Sequence, residues 1–137
     1  MRKILILGSG AGGTIVANML RKELVESEWE ITIIDRKEQH HYQAGYLFIP
    51  FGVYAEHDVV KPKKEFIPKG VDFVLDNVVK INTDERRVKT ETGGQYDYDW
   101  LVIATGCDIA PGEIDGMMDG WGKDIFDFYT LEGSLEL

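Results

Sequence analysis

Cysteine occurs once, at Cys107, so neither an internal disulfide nor a multi-cysteine zinc site is available to this chain. A reducing, cytoplasmic setting is the simplest match to that usage. Basic residues are in deficit: 15 lysines and arginines face 24 aspartates and glutamates, for a net charge of −9. Non-specific nucleic-acid binding needs a basic surface, so no nucleic-acid partner is expected. The one basic cluster, Lys61-Pro62-Lys63-Lys64, reads as a solvated loop. Long apolar runs are missing too. None approaches the roughly 20 residues that span a bilayer, and Ile4-Leu5-Ile6-Leu7 is too short for a signal peptide. His40-His41 and His57 lack metal-ligand spacing, so no metal is expected. Disorder is excluded from the opposite direction. Hydrophobic residues make up 44% of the chain, enough for a packed core, and 137 residues is a single-domain length.

What is present begins at residue 8. Gly8-Ser9-Gly10-Ala11-Gly12-Gly13 follows the apolar run Ile4–Leu7, and Asp35 closes the next apolar run, Ile31-Thr32-Ile33-Ile34, 22 residues after Gly13. Strand, G-x-G-x-x-G, helix, second strand and terminal acid together form the dinucleotide-binding fingerprint. Gly8 permits the tight turn out of the strand. Gly10 has no Cβ, so a pyrophosphate can approach the backbone. Gly13 lets the helix pack closely on the sheet, a contact that small Ala17 continues. The helix N-terminus, at Ala11 and Gly12, offers free N–H groups and partial positive charge to phosphates. Asp35 is expected to accept hydrogen bonds from adenosine ribose hydroxyls and to disfavour a 2′-phosphate, although Arg36 beside it softens that repulsion.

The remaining pattern fits an α/β domain. Lys3–Leu7 reads as a first strand buried on both faces. Residues 12 to about 25 read as a helix with Ile15, Val16, Met19, Leu20 and Leu24 turned inward. Glu30–Asp35 is the second strand. Residues 36–58 show no clear periodicity but are dense in aromatics, including Tyr42, Tyr46, Phe48, Phe51 and Tyr54, as befits a loop packed over something flat or on itself. Val71–Leu75 is a third strand. Val78–Asn82, Arg87–Glu91 and Gln95–Asp99 form an antiparallel meander turned at Asp84-Glu85 and Gly93-Gly94. Leu101–Ala104 reads as a buried strand leading into Thr105-Gly106. The acids Glu113, Asp115, Asp119, Asp124 and Asp127 read as solvated. Thr130 is placed to cap a last helix carrying Leu131, Leu135 and Leu137.

Gly8-x-Gly10-x-x-Gly13, Ile33-Ile34-Asp35, the meander, and Tyr98-Asp99-Trp100-Leu101-Val102-Ile103-Ala104-Thr105-Gly106 together resemble the FAD-binding domain of the pyridine-nucleotide–disulfide oxidoreductase superfamily. Within it, the His40–Gly52 segment and Ile103–Gly116 look like the sulfide:quinone oxidoreductase group. The resemblance implies a Rossmann-like FAD/NAD(P)-binding α/β fold, a parallel sheet with a three-stranded antiparallel β-meander at about residues 77–99. Residues 1–137 would be the FAD-binding domain of a longer flavoprotein, of which they look like an N-terminal fragment. Gly8, Gly10, Ala11, Gly12 and Gly13 would line the FAD pyrophosphate. Asp35 would hold the ribose, Arg36 would lie beside the adenine, and Val78 or Val79 would offer backbone groups to it. Ala104, Thr105 and Gly106 would pass close to the cofactor, and the segment from Gln43 to Gly52 would run beside the flavin.

The resemblance implies an FAD-dependent oxidoreductase passing two electrons from sulfide or NADH to a quinone or another acceptor, with residues 1–137 alone inactive. Type II NADH dehydrogenase and NADH oxidase are alternatives, as is a non-catalytic NAD- or ADP-binding module. Membrane association would come only through C-terminal segments outside these residues, placing the full-length protein in the cytoplasm or at the inner membrane face. An exposed sheet edge would favour a homodimer. Two departures stand out. No C-x-x-x-x-C follows the second strand, so the dithiol chemistry of the superfamily's disulfide members is excluded. Tyr129 stands where many sulfide:quinone oxidoreductases carry a cysteine. Cys107 matches no family role and reads as a buried, inert thiol.

Overall fold

The computed structural model describes every residue from Met1 to Leu137. Strands are β1 (Arg2–Leu7), β2 (Trp29–Asp35), β3 (Gln39–His41), β4 (Val60–Pro62), β5 (Asp72–Leu75), β6 (Val78–Asn82), β7 (Arg87–Thr90), β8 (Gln95–Asp97) and β9 (Trp100–Ile103). Helices are α1 (Ala11–Glu23), α2 (Glu56–Val59) and α3 (Leu131–Leu135). The chain divides into two compact units, residues 1–40 with 62–106 and residues 41–61 with 107–137. Length alone does not show this division.

The first unit holds a four-stranded sheet in the order β5-β2-β1-β9, with every pairing parallel. Parallel neighbours need a crossover between them, and α1 supplies it between β1 and β2. Ile4 lies opposite Ile31 on one side and Trp100 on the other. Successive side chains alternate between the sheet's faces. Ile4, Ile6, Ile31 and Ile33 therefore meet α1 through Ala17, Val16 and Leu20. Leu5, Leu7 and Ile34 meet the meander through Val88, Val78, Tyr96 and Tyr98. The meander itself is β6-β7-β8, antiparallel throughout. Val88 and Thr90 face inward while Lys89 and Glu91 are exposed, as their alternation predicts.

Two expectations fail here. Ile15 and Met19 are exposed, at 57% and 64%. The contact face of α1 runs through Gly13, Ala17 and Leu20, because small residues admit the closest approach to the sheet, and Ile15 and Met19 fall outside that stripe. The last strand is not a buried one: Trp100 and Ile103 are each 63% exposed. β9 is an edge strand, paired on one side only.

In the second unit, residues 43–48 form a 3-10 turn rather than irregular loop. Tyr46 is buried, but Tyr42, Phe48, Phe51 and Tyr54 are exposed, and the only ring pairing among the last three is the edge contact of Phe48 on Tyr54, at 5.7 Å. The aromatic segment thus buries one ring and leaves most of the others at the surface. Thr130 caps α3 as its position suggests, its Oγ1 accepting from Gly133 N at 3.0 Å. Asp127 is not simply solvated. It accepts from the amides of Tyr129 and Thr130 and from Thr130 Oγ1, and so braces that cap.

Candidate functional site

The glycine loop is defined by backbone that no side chain could share. Gly8 has φ +92°, and a Cβ there would collide with the carbonyl oxygen of Ala104. Its amide donates to Ile34 O at 2.8 Å, and Ala104 N donates to Leu7 O at 2.8 Å, so the loop leaves β1 pinned between its two neighbours. A Cβ on Gly13 would strike Gly8 O. Gly10 is different. It is exposed, and a Cβ there would meet nothing within 4 Å. Gly106 is equally open, at φ +75°. Two glycines therefore serve packing, and two leave open space beside the backbone.

Helix α1 begins under Gly10. Its first helical bond runs from Thr14 N to Gly10 O, no side chain caps the N-terminus, and no acid lies in the first turn. The amides of Ala11, Gly12 and Gly13 precede that bond. Orphan donors at the positive end of a 13-residue helix favour an anion.

Asp35 ends β2 beside this loop. Its Oδ2 accepts from Ser9 N at 2.6 Å and Ser9 Oγ at 2.9 Å, and its Oδ1 accepts from Lys37 N at 2.9 Å. Lys63 Nζ lies 2.6 Å from the same Oδ2. Burial alone would push the Asp35 carboxyl up, but Lys63 and the Ser9 and Lys37 amides together hold it below its ordinary value of 3.8. Burial pushes Lys63 down, and Asp35 only partly restores it. The pair is ionic by its geometry: a short contact between complementary groups, both largely withdrawn from water.

Lys63 corrects the reading of residues 61–64 as a solvated loop. The residue is 5% exposed. Its neighbours Lys61 and Lys64 are exposed. The 3-10 turn at Lys63–Glu65 directs this one side chain onto Asp35. Ser9 and His40 also escape prediction: Thr14 Oγ1 donates to Ser9 O, and His40 Nδ1 lies 3.4 Å from that carbonyl.

The other candidates fall as follows. Arg36 is exposed next to Asp35, and Thr105 is exposed beside Gly106. Ala104 touches the glycine loop, and its Cβ lies 3.9 Å from where a Cβ on Gly12 would stand. The β6–β7 register shifts between Val78 and Lys80, so Val79 is skipped by the ladder at a bulge, which removes its backbone groups from the ladder. Gln43 lies in the second unit, where its Nε2 donates to Tyr129 O at 2.7 Å. Tyr129 Oη in turn donates to Cys107 O at 2.7 Å and lies 3.1 Å from Cys107 Sγ. Cys107 is exposed, not buried as expected. Its stretch, residues 104–110, has no regular secondary structure, and residues 105–110 are exposed. In the same unit His41 Nδ1 meets Tyr46 Oη, and burial, helped by the charge of Glu132, pushes the Tyr46 phenol up to about 12.

The family described as Pyridine nucleotide-disulphide oxidoreductase matches residues 2–133. The chain belongs to that family. Among curated members, the mitochondrial sulfide:quinone oxidoreductase of Dictyostelium discoideum is 35% identical over 122 residues, 89% of this chain and 27% of that protein. The type II NADH:quinone oxidoreductase of Staphylococcus aureus (strain NCTC 8325) is 37% identical over 120 residues, 86% of this chain and 29% of that protein. Among solved structures, the sulfide:quinone oxidoreductase of Aquifex aeolicus superposes with a TM-score of 0.80 at 24% identity, over 99% of this chain and 30% of that one. That likeness establishes the shared Rossmann-like α/β fold. The chain thus spans under a third of the length of these pyridine nucleotide-disulphide oxidoreductase relatives.

Proposed function

We propose that residues 1–137 are the FAD-binding portion of a flavin-dependent quinone reductase of the sulfide:quinone oxidoreductase kind. The observation that carries this reading is the open cradle at Gly10, with three helix amides beside it and Asp35 at the end of the adjacent strand. A dinucleotide has the matching chemistry: a pyrophosphate for the amides and a ribose for the acid. Gly8, Gly10, Ala11, Gly12 and Gly13 hold the pyrophosphate. Asp35 takes the ribose, with Arg36 and the backbone of Val79 toward the adenine. Ala104, Thr105 and Gly106 flank the cofactor.

Two-electron transfer from donor to quinone is the chemistry a bound flavin supplies. This chain's own residues bind and orient. The two relatives named above share a quinone in their names and differ in the donor, sulfide or NADH. We therefore assign the quinone as acceptor and sulfide as donor, with NADH as the second reading, favoured by the 37% identity to the staphylococcal protein. No helix is long and apolar enough to cross a membrane. We place the full-length protein in the cytoplasm, peripheral at the inner membrane face where quinone is met, with β5 or β9 as the edge across which a homodimer would form.

The test is flavin binding by the 137-residue chain, followed by quenching of FAD fluorescence. Saturable quenching that Gly10→Val abolishes without unfolding supports the reading. Absence of quenching, or quenching indifferent to Gly10→Val, contradicts it.

A further inference from the structure

Lys63 is the only charged side chain among the buried residues. It is held there from both ends of its turn. Lys63 N donates to Glu38 O at 2.9 Å, and Phe66 N donates to Lys63 O at 2.9 Å. Phe66 O accepts from Asn18 Nδ2 of α1 at 2.9 Å, and the Phe66 ring lies 4.6 Å from that of His40. The turn is thus tied to the first helix and to the strand after Asp35. Its lysine is a fixed part of the site rather than a roaming surface charge.

The consequence lies in the hydrogen-bond capacity of Asp35. Each carboxylate oxygen offers two lone pairs. Oδ2 already faces three donors: Ser9 N, Ser9 Oγ and Lys63 Nζ. Oδ1 faces one, Lys37 N. A ribose diol gripped by both hydroxyls needs two vacant acceptor positions, and only one remains.

We propose that Lys63 is a positioning residue of the nucleotide site: it locks Asp35 Oδ2 against the glycine loop and leaves Oδ1 to grip the adenosine ribose by a single hydroxyl. The inference rests on the nucleotide-binding reading above. It has a second consequence. Lys63 compensates the charge of Asp35 from within, while Arg36 and Lys37 add positive charge beside the pair. Asp35 therefore excludes a 2′-phosphate less strongly than an uncompensated carboxylate would.

The experiment is calorimetric titration of the 137-residue chain with ADP, 2′-deoxy-ADP and 3′-deoxy-ADP. One deoxy analogue is expected to bind about tenfold weaker than ADP and the other within about twofold, since one charge-assisted hydrogen bond is lost in one case only. Equal losses for both analogues, or no loss for either, overturn the single-hydroxyl grip. No binding of ADP itself sinks the nucleotide reading, a distinct result. The role of Lys63 is read separately, on ligand-free protein, from the carboxyl carbon of Asp35 across pH. Lys63→Arg should keep its titration below the ordinary carboxylate range, and Lys63→Met should raise it. A titration unchanged in Lys63→Met, or raised equally in Lys63→Arg, overturns the proposal. If Lys63→Met does not fold, the Lys63→Arg titration and the analogue pattern decide it.

Discussion

The α-carbon of Gly8 faces the carbonyl oxygen of Ala104 so closely that a methyl group placed on it would overlap that oxygen. This contact joins two sequence motifs some 96 residues apart, the glycine loop after β1 and the Ala-Thr-Gly after β9. It makes Gly8 a packing requirement as much as a ligand contact. Gly8→Ala is expected to cost about 2–5 kcal/mol, combining backbone strain at φ +92° with overpacking. Gly10→Ala, with open space and φ −70°, should cost no more than about 1 kcal/mol. Urea unfolding of both variants checks this. Equal losses would contradict the division of labour between the two glycines.

Asp35 gives stability a definite acid limb. Its carboxyl titrates below 3.8 in the folded chain, so the folded state binds fewer protons than the unfolded state in that window. Its contribution is present above pH 3.8 and is lost as pH falls through the lower, folded value. In Asp35→Asn that portion of the acid limb should disappear, which unfolding at stepped pH between about 2 and 5 would show. An unchanged limb would mean that other carboxylates carry it.

The glycine loop and Asp35 were legible in advance because each position answers a local demand: a positive φ, a close approach, a strand end. The meander was legible from alternation at Val88 and Thr90. Lys63 was not. It lies 28 residues from Asp35, in a run of lysines that shares the composition of any solvated loop, and only tertiary contact selects it. The face of α1 is hidden from the sequence for a related reason. Ile15 and Met19 are the more hydrophobic residues, but Ala17 is small enough to let the helix touch the sheet, and geometry prevailed over hydrophobicity.

Cys107 is exposed and should react as a surface thiol. A colorimetric thiol reagent is expected to titrate one thiol per chain in the native protein, the same number as after denaturation. A native count near zero would show the thiol to be buried.

The cap of α3 is a two-residue device, Asp127 bracing Thr130 and Thr130 accepting from Gly133 N. Thr130→Ala should destabilise the chain by about 1 kcal/mol, and Thr130→Ser, which keeps the acceptor, by less. Thermal unfolding of the pair resolves the difference. Indistinguishable variants would show that the hydroxyl contributes nothing.

These 137 residues are proposed to bind FAD rather than only its adenosine half. The decisive experiment is calorimetric titration with FAD, NAD and ADP, repeated on Asp35→Ala. FAD is expected to bind tightest, and Asp35→Ala to weaken it. Tightest binding of NAD would contradict the flavin assignment.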